Sequence, residues 1–349
     1  MKKIIHVAVG VIFDSPFDTA GGKDRKILIA KRADHQHQGG LWEFPGGKVE
    51  EGESTPVALQ RELEEELGLQ SNTDDMYPLI TIPFHYPDKS VLLDVWAVHP
   101  NMDSDHGYEG LTEEGIGLEG QPVAWVNQAD LASYEFPAAN KAIIDALLLP
   151  KQIAISNDHS DSEVILKHVA NTLKNHSNVW LQLRAPSLDQ MQYTQLAMKL
   201  YGLCHEAGSK LIWNCPLDWY QVAFADGLHL SKANLIKADL KQRPIPETQW
   251  FSMGCHNLSE LEAVQELSDY VLVSTVKETT SHPNITPLTW SGFKVITHHA
   301  RIPCYALGGM SIIDKDTATQ YGGQGIAGIS CFVAEQPVCK KIEGEVYES

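Results

Sequence analysis

Residues 46 to 69 read GGKVEEGESTPVALQRELEEELGL, and seven of these 24 residues are glutamates. Ser54 or Thr55 as a cap, Pro56 at the first helical position and Gly68 as a stop predict a helix between them. Leu59, Leu63 and Leu67 recur every four residues and bury one of its faces. Glu62, Glu65 and Glu66 then stand at i, i+3 and i+4 on another face. Like charges at that spacing repel by roughly a few tenths of a kcal/mol per pair. They also lie toward the C-terminal end, where the helix dipole disfavours anions. A solvated acidic face is one reading. The other is a divalent cation gripped by the three carboxylates, which turns the repulsion into binding. The flanking residues favour the cation. Gly46 and Gly47 form a turn that can bring a backbone carbonyl close to a metal. Arg61, eight residues after Glu53, can orient a carboxylate by a bidentate hydrogen bond.

On either side of this stretch, the first 150 residues mix strand-like runs with helices. IIHVAVGVIF, KILIAKR, YPLITIPFHY, SVLLDVWAV and PVAWV predict strands. PVALQRELEEEL and PAANKAIIDALLL predict two helices. Asn101 to Gly117 reads as a polar, acidic loop. The pattern suits a mixed sheet with helices on its faces. Beyond Pro150, eight short apolar runs alternate with helical segments: QIAIS, VWLQLRA, KLIWNC, GLHLS, WFSMGC, YVLVST, PCYALGG and GIAGIS. Eight such alternations in roughly 200 residues predict a (β/α)8 barrel. The chain is therefore expected to be a two-domain α/β protein, with one domain over residues 1–149 and the barrel over 150–349.

The 349 residues are 43% apolar, enough for two cores, and the formal net charge is −18. Such a charge argues against nucleic acid as a direct partner and disfavours polyanionic small molecules unless a cation mediates. The cysteines, Cys204, Cys215, Cys255, Cys304, Cys331 and Cys339, show no zinc-ligand spacing. They read as reduced core residues of a cytoplasmic protein. MKKIIHVAVGVIF reads as a first strand and not a signal peptide. No apolar run is long enough to span a bilayer, so no membrane partner is expected. Oligomeric state is left open.

The opening stretch resembles the Nudix box, G-x5-E-x7-R-E-U-x-E-E-x-G-U with U a bulky aliphatic residue. Gly47, Glu53, Arg61, Glu62, Leu63, Glu65, Glu66, Gly68 and Leu69 fill every fixed position. VAVGVIF, KRADHQHQGGLWEFPGG, LEGQP and FPAAN extend the resemblance to the MutT type of Nudix hydrolase, which clears oxidised guanine triphosphates from nucleotide pools. It implies an α/β/α sandwich and a Mg²⁺ or Mn²⁺ ion held by Glu62, Glu65 and Glu66 with the Gly46 carbonyl. It implies a further ligand or base at Glu119, and Glu62 or Glu119 as the group that takes a proton from the attacking water. Glu53 and Arg61 complete the catalytic group. Arg32, Phe44 and Asn140 match positions that contact the purine. The substrate implied is a small-molecule nucleotide such as 8-oxo-dGTP, cleaved to the monophosphate and pyrophosphate. Phe44 and Phe136 can equally be core aromatics, Arg32 a surface charge, and Asn140 a helix cap.

Residues 151 to about 333 resemble thiamine phosphate synthase and its relative TenI, a thiazole tautomerase. The matching words are WLQLR, DGLHLS, MGCHNLSELEAV, SDYVLVSTV, IPCYALGGM and GIAGIS. Gly308 and Gly309 after the seventh strand, with Ile329 and Ser330 after the eighth, are candidate phosphate contacts at the barrel rim. Alternatively, the glycines only permit tight turns. Several positions depart from the synthase pattern. Pro186 replaces a lysine, Asn214-Cys215 an Asn-Asp pair that helps bind magnesium, and ETTSHP a Thr-x-Thr-Lys loop. Thr275 stands where TenI has a histidine. The resemblance therefore implies a barrel without synthase or tautomerase chemistry. That barrel binds a phosphorylated ligand, senses one for the hydrolase, or serves as a scaffold. It also raises a thiamine-related pyrophosphate as an alternative hydrolase substrate.

Overall fold

The computed structural model describes residues 4–15, 25–34, 38–99, 114–238, 240–279 and 286–333. Strand β1 (Ile4–Phe13) pairs in parallel with β5 (Ser90–Val98) along nine residue pairs, from Ile4↔Ser90 to Ile12↔Val98. Outside β5 lies β4 (Met76–His85), antiparallel to it. On the other side the order runs through β2 (Lys26–Lys31) and β7 (Pro122–Asn127) to β6 (Glu114–Ile116), with the two-residue β3 (Trp42–Glu43) also pairing with β2. The sheet is thus mixed. Alternation along β1 gives it two buried faces. Ala8 and Ile12 pack under helix α1 (Thr55–Leu67), against Ala58, Leu59 and Leu63. Val9, Val11 and Phe13 face helix α2 (Lys141–Leu148), against Ala142, Ile143 and Leu147. This is the expected sandwich.

Two details differ from the sequence expectation. Strand β6 occupies the end of the stretch read as an acidic loop, because Glu114, Gly115 and Ile116 pair with Ala124, Val123 and Pro122 of β7. A three-residue strand among acidic residues carries no apolar alternation to reveal it. Residues 101–113 of that stretch lie outside the described residues. The second helix begins at Lys141; Ala138–Asn140 form a single 3-10 turn before it, and Pro137 precedes that turn.

The second half forms a closed barrel of eight parallel strands, at the eight predicted places. They are β8 (Gln152–Ile155), β9 (Val179–Leu183), β10 (Leu211–Asn214), β11 (Gly227–Leu230), β12 (Trp250–Cys255), β13 (Tyr270–Ser274), β14 (Cys304–Leu307) and β15 (Gly325–Gly328). Strand β15 pairs with β8 and closes the ring. Side chains such as Ile153, Ile212, Leu272 and Tyr305 fill the interior. Outward-facing residues such as Leu181, Leu183, Val271 and Val273 pack on the surrounding helices, among them α3 (Ser162–Asn175) and α4 (Gln190–Glu206). The five described cysteines are free thiols, four of them buried; Cys339 lies outside the described residues. Among the described residues no helix is long and apolar enough to cross a membrane.

The two halves meet at the end of the barrel where its strands begin. Gln324, just before β15, donates through Nε2 to the carbonyls of Ala146 (2.8 Å) and Leu149 (3.1 Å) at the end of α2. The Tyr305 hydroxyl donates to the Pro150 carbonyl. The rim from which the barrel's strand-to-helix loops leave is at the opposite end, away from the first domain.

Candidate functional site

The loop before α1 fills a gap in the sheet. Strand β2 pairs with β1 only at Ile12 and Phe13. From His6 to Gly10 the open edge of β1 is taken by the loop 45–49. The Ala8 amide donates to the Gly47 carbonyl (2.8 Å), that of Gly10 to the Pro45 carbonyl (2.8 Å), and that of Val49 to the His6 carbonyl (3.0 Å). This close approach requires glycine at position 46. A Cβ on Gly46, at φ +141°, would stand 2.2 Å from the Ala8 carbonyl oxygen, and one on Gly47 would stand 2.2 Å from the Glu62 carboxyl. The carbonyl between the two anchored ones, that of Gly46, accepts no hydrogen bond among the described residues.

Helix α1 begins after Ser54, whose side chain makes no capping bond; the Thr55 hydroxyl instead donates to Asp94 Oδ2 at 2.6 Å. Asp94 on β5 also accepts from Trp96 Nε1 (3.1 Å), so it pins the start of the helix to the sheet. The helix ends at Gly68 in a left-handed conformation, with the amides of Gly68 and Leu69 returned to the carbonyls of Glu64 and Leu63. The turn between β6 and β7 is tied to the same end, since the Leu118 amide and Gln121 Nε2 both donate to the Glu66 carbonyl. That places Glu119, exposed at the tip of the turn, beside the helix's acidic face.

Arg61 lies among the carboxylates. Its Nε and Nη2 each donate to one oxygen of Glu53 at 3.1 Å, a bidentate pair. Its Nη1 donates to Glu62 (2.8 Å) and to Glu65 (3.3 Å). The bond from Arg61 holds Glu53 below the usual carboxylate range. Glu66 behaves in the opposite way. It accepts the Gly46 amide at 3.1 Å and forms no ion pair with Arg61 among the described residues. Burial pushes it up to about 8 against that bond, and the charges of Glu43, Glu62 and Glu119 push it further the same way. Three other carboxylates therefore act on Glu66. Among the described residues no three His, Cys, Asp or Glu side chains already converge on one ion position. Glu62 and Glu65 lean toward Arg61 instead. The donor chemistry nevertheless fits a hard divalent ion: oxygen ligands only, one backbone carbonyl without a hydrogen bond among the described residues, and a half-buried Glu66 that forms no ion pair among them.

Glu43 was not anticipated from the sequence. It sits on β3, forms an ion pair with Arg32, and is pushed up by burial despite that partner. Arg32 is thus no isolated surface charge. Of the two readings left open for Phe44, the structure shows the core packing. The ring is 3% exposed and stacked on Phe136 at 5.3 Å, so both pack against the sheet. Asn140 ends the 3-10 turn and makes no side-chain cap for α2. The residue is 8% exposed. Tyr86 closes this region; its hydroxyl is bonded to the Ala139 backbone, and Arg32 lies near enough to act on it electrostatically. Sequence reading missed Tyr86 because the run YPLITIPFHY accounted for it as the end of a strand.

In the barrel, the two glycines after β14 fit a packing role. Gly308 (φ +97°) and Gly309 (φ +66°) lie under the loop that follows β13; added Cβ atoms would stand 2.6 Å from Thr275 Cγ2 and 2.2 Å from the Glu278 carbonyl. Ile329 is partly buried against the interior, and Ser330 is exposed. Cys215, in the place of the synthase aspartate, is buried and its thiol is pushed up to about 12, so it offers no charge to a cation. Residues 280–285, most of the ETTSHP segment, lie outside the described residues. Inside the barrel the structure adds a polar pair absent from the sequence reading. His229 bonds Ser252 Oγ through Nδ1 at 2.9 Å, and burial, with Arg184 nearby, pushes it down to about 3. A polar residue at an inward position of an apolar strand was the available signal.

Fold and site together define a two-domain α/β hydrolase in which a carboxylate-lined loop and helix lie on a mixed sheet and a parallel barrel is docked beneath. Family models agree with both halves: one for the NUDIX domain matches residues 21–146, and one for thiamine monophosphate synthase matches residues 152–332. The chain is 33% identical over 147 residues to the 8-oxo-dGTP diphosphatase of Escherichia coli (strain K12), covering 42% of this chain and 98% of that protein. It is 35% identical over 147 residues to the 8-oxo-dGTP diphosphatase of Haemophilus influenzae, covering 42% and 93%. The barrel half is 32% identical over 160 residues to the thiamine-phosphate synthase of Chloroflexus aurantiacus, covering 45% of this chain and 73% of that protein. The chain belongs to the Nudix hydrolase family through its N-terminal half and to the thiamine monophosphate synthase family through its C-terminal half. Nudix hydrolases generally use divalent metal ions.

Proposed function

We propose that the N-terminal half hydrolyses oxidised purine nucleoside triphosphates, such as 8-oxo-dGTP, to the monophosphate and pyrophosphate, with Mg²⁺ or Mn²⁺ as cofactor. The observation that carries this reading is the group of carboxylates around half-buried Glu66, which is raised by burial and further by the charges of Glu43, Glu62 and Glu119. Glu62, Glu65 and Glu66, with the Gly46 carbonyl and Glu119, would hold the ion. When bound, the ion neutralises phosphate charge and lowers the pKa of a coordinated water. Arg61, fixed by Glu53, orients Glu62. Of the carboxylates able to take the water's proton, Glu62 is held by that arginine, whereas Glu119 is exposed on a turn. The Asn140 amide can donate and accept on a purine edge, with Arg32 and Tyr86 beside it. The relatives named above as 8-oxo-dGTP diphosphatases support this substrate class.

For the barrel we propose no synthase chemistry: the thiol at Cys215 cannot replace the carboxylate. A phosphate site at Gly308, Gly309, Ile329 and Ser330 is retained as a proposal, to be tested by titrating the full chain with thiazole and pyrimidine phosphates.

The test of function is a turnover screen of the purified full chain, with magnesium, against a panel of nucleotides and pyrophosphates. The expected outcome is the highest kcat/KM on 8-oxo-dGTP, abolished by Glu65→Gln. Faster cleavage of thiamine-related pyrophosphates would replace the substrate assignment, and full activity in Glu65→Gln would remove the metal assignment.

A further inference from the structure

We propose that the underside of the barrel holds the purine-reading turn of the Nudix half in place through Lys141, making Lys141 and Asp269 positioning residues for base recognition. The proposal rests on the assignment of Asn140 made above. The turn, residues 134–141, is supported from two sides. From the Nudix side, the Trp42 amide donates to the Glu135 carbonyl (2.9 Å), Phe44 stacks on Phe136, and Tyr86 bonds the Ala139 backbone. From the barrel side the polar tie runs through Lys141, the residue after Asn140. Its Nζ donates to Asp145 Oδ2 at 2.7 Å and, across the domain boundary, to Asp269 Oδ1 at 3.0 Å.

Lys141 stands where a cation is locally unfavourable, in the first turn of α2 at the positive end of the helix dipole. As with the glutamates of α1, a local violation points to a partner outside the helix. That partner is rigid. Asp269 is 6% exposed, just before β13. It accepts Arg243 Nη1 (3.1 Å) and Nη2 (2.8 Å) and the Phe251 amide (2.8 Å). Elsewhere the turn and the barrel are separated by clefts of about 260 and 470 Å³, the larger lined by Tyr134, Phe136, Lys141 and Trp250. The Lys141 ammonium therefore transmits the barrel's position to the adjacent Asn140. A displacement of about 1 Å in a binding group can cost on the order of a hundredfold.

The experiment measures steady-state kinetics of the full chain on 8-oxo-dGTP and dCTP for K141M, K141R, D269N, the K141M/D269N pair and N140A. In K141M and D269N we expect KM for 8-oxo-dGTP to rise about fivefold or more, kcat to change less than KM, and preference over dCTP to shrink. K141R should restore both, and the double variant should be no worse than D269N alone, because K141M removes the Lys141–Asp269 contact that D269N already weakens together with the Arg243 pair. Unchanged KM and preference in K141M, with preference lost in N140A, overturns the positioning role and leaves the proposed function standing. Full preference in N140A overturns the base-reading assignment and this proposal with it. Thermal melts accompany each variant; if K141M melts too low to assay, K141A, which likewise has no donor, takes its place with the same expected readings.

Discussion

Replacing Gly46 and Gly47 by alanine separates support of the loop from placement of a catalytic carboxylate. At Gly46 the backbone has φ +141°, which alanine rarely adopts, at a cost of about 1–3 kcal/mol. The new Cβ also meets the Ala8 backbone at 2.2 Å, so β1 and the loop must part. Losing the bonds from the Ala8 and Gly10 amides adds about 1 kcal/mol each. Gly46→Ala should therefore destabilise by about 3–5 kcal/mol, a large share of a typical total stability of about 5–15 kcal/mol. Gly47 has no positive φ, and its Cβ would meet only the end of the flexible Glu62 side chain. Moving that carboxylate weakens its bond to Arg61, while alanine stiffens the unfolded chain in compensation, by about 0.4–1 kcal/mol. Gly47→Ala should stay within about 1 kcal/mol of wild type in stability. Its magnesium-dependent turnover should fall by about tenfold to a hundredfold, as for loss of a ligand's support. Chemical denaturation and steady-state turnover read the two quantities. Equal destabilisation by both variants, or native turnover in Gly47→Ala, would refute the reasoning.

Two further outcomes follow from the same carboxylates. Glu66 lies at about 8 in the folded protein against 4.5 for a free side chain, so its contribution to stability is complete below about 4.5 and lost as pH rises through 8. The metal-free protein should lose stability between pH 5 and 9 by at most about 5 kcal/mol from this group, and Glu66→Gln should flatten that slope. Thermal melts across that range in chelator check it; an unchanged slope in the variant would show that Glu66 is not the group concerned. Arg61→Lys keeps the charge but removes the fork that grips both oxygens of Glu53. Turnover should fall by about tenfold to a hundredfold with the fold intact by circular dichroism, and wild-type turnover would count against a role for the bidentate pair.

Much of the fold was legible because its signals are local. The leucines of α1, the glycines flanking it and the period-two alternation of β1 each specify their element within a few residues. The barrel strands stood out because strands buried on both faces are short and apolar. What was missed depends on distant partners. Glu43 looks like any acid on a short edge strand until Arg32 and Glu66 are placed beside it. Asp94 reads as a polar residue on a strand face, and only Thr55, 39 positions earlier, shows that it anchors the helix. Lys141 and Asp269 lie 128 residues apart, so no sequence window joins them. Phe44 was open between a purine contact and a core aromatic, because a residue beside a functional loop carries no local sign of which way its ring turns; its ring packs in the core.

The central claim is that the acidic face of α1 holds a divalent ion which in turn holds a polyphosphate. The direct measurement is anomalous diffraction from crystals soaked in manganese with a non-hydrolysable nucleotide analogue. The account predicts a manganese peak in contact with carboxylate oxygens of Glu62, Glu65 and Glu66 and with a phosphate oxygen. A bound nucleotide with no ion beside those three residues, in a protein that turns over under the same conditions, would contradict it.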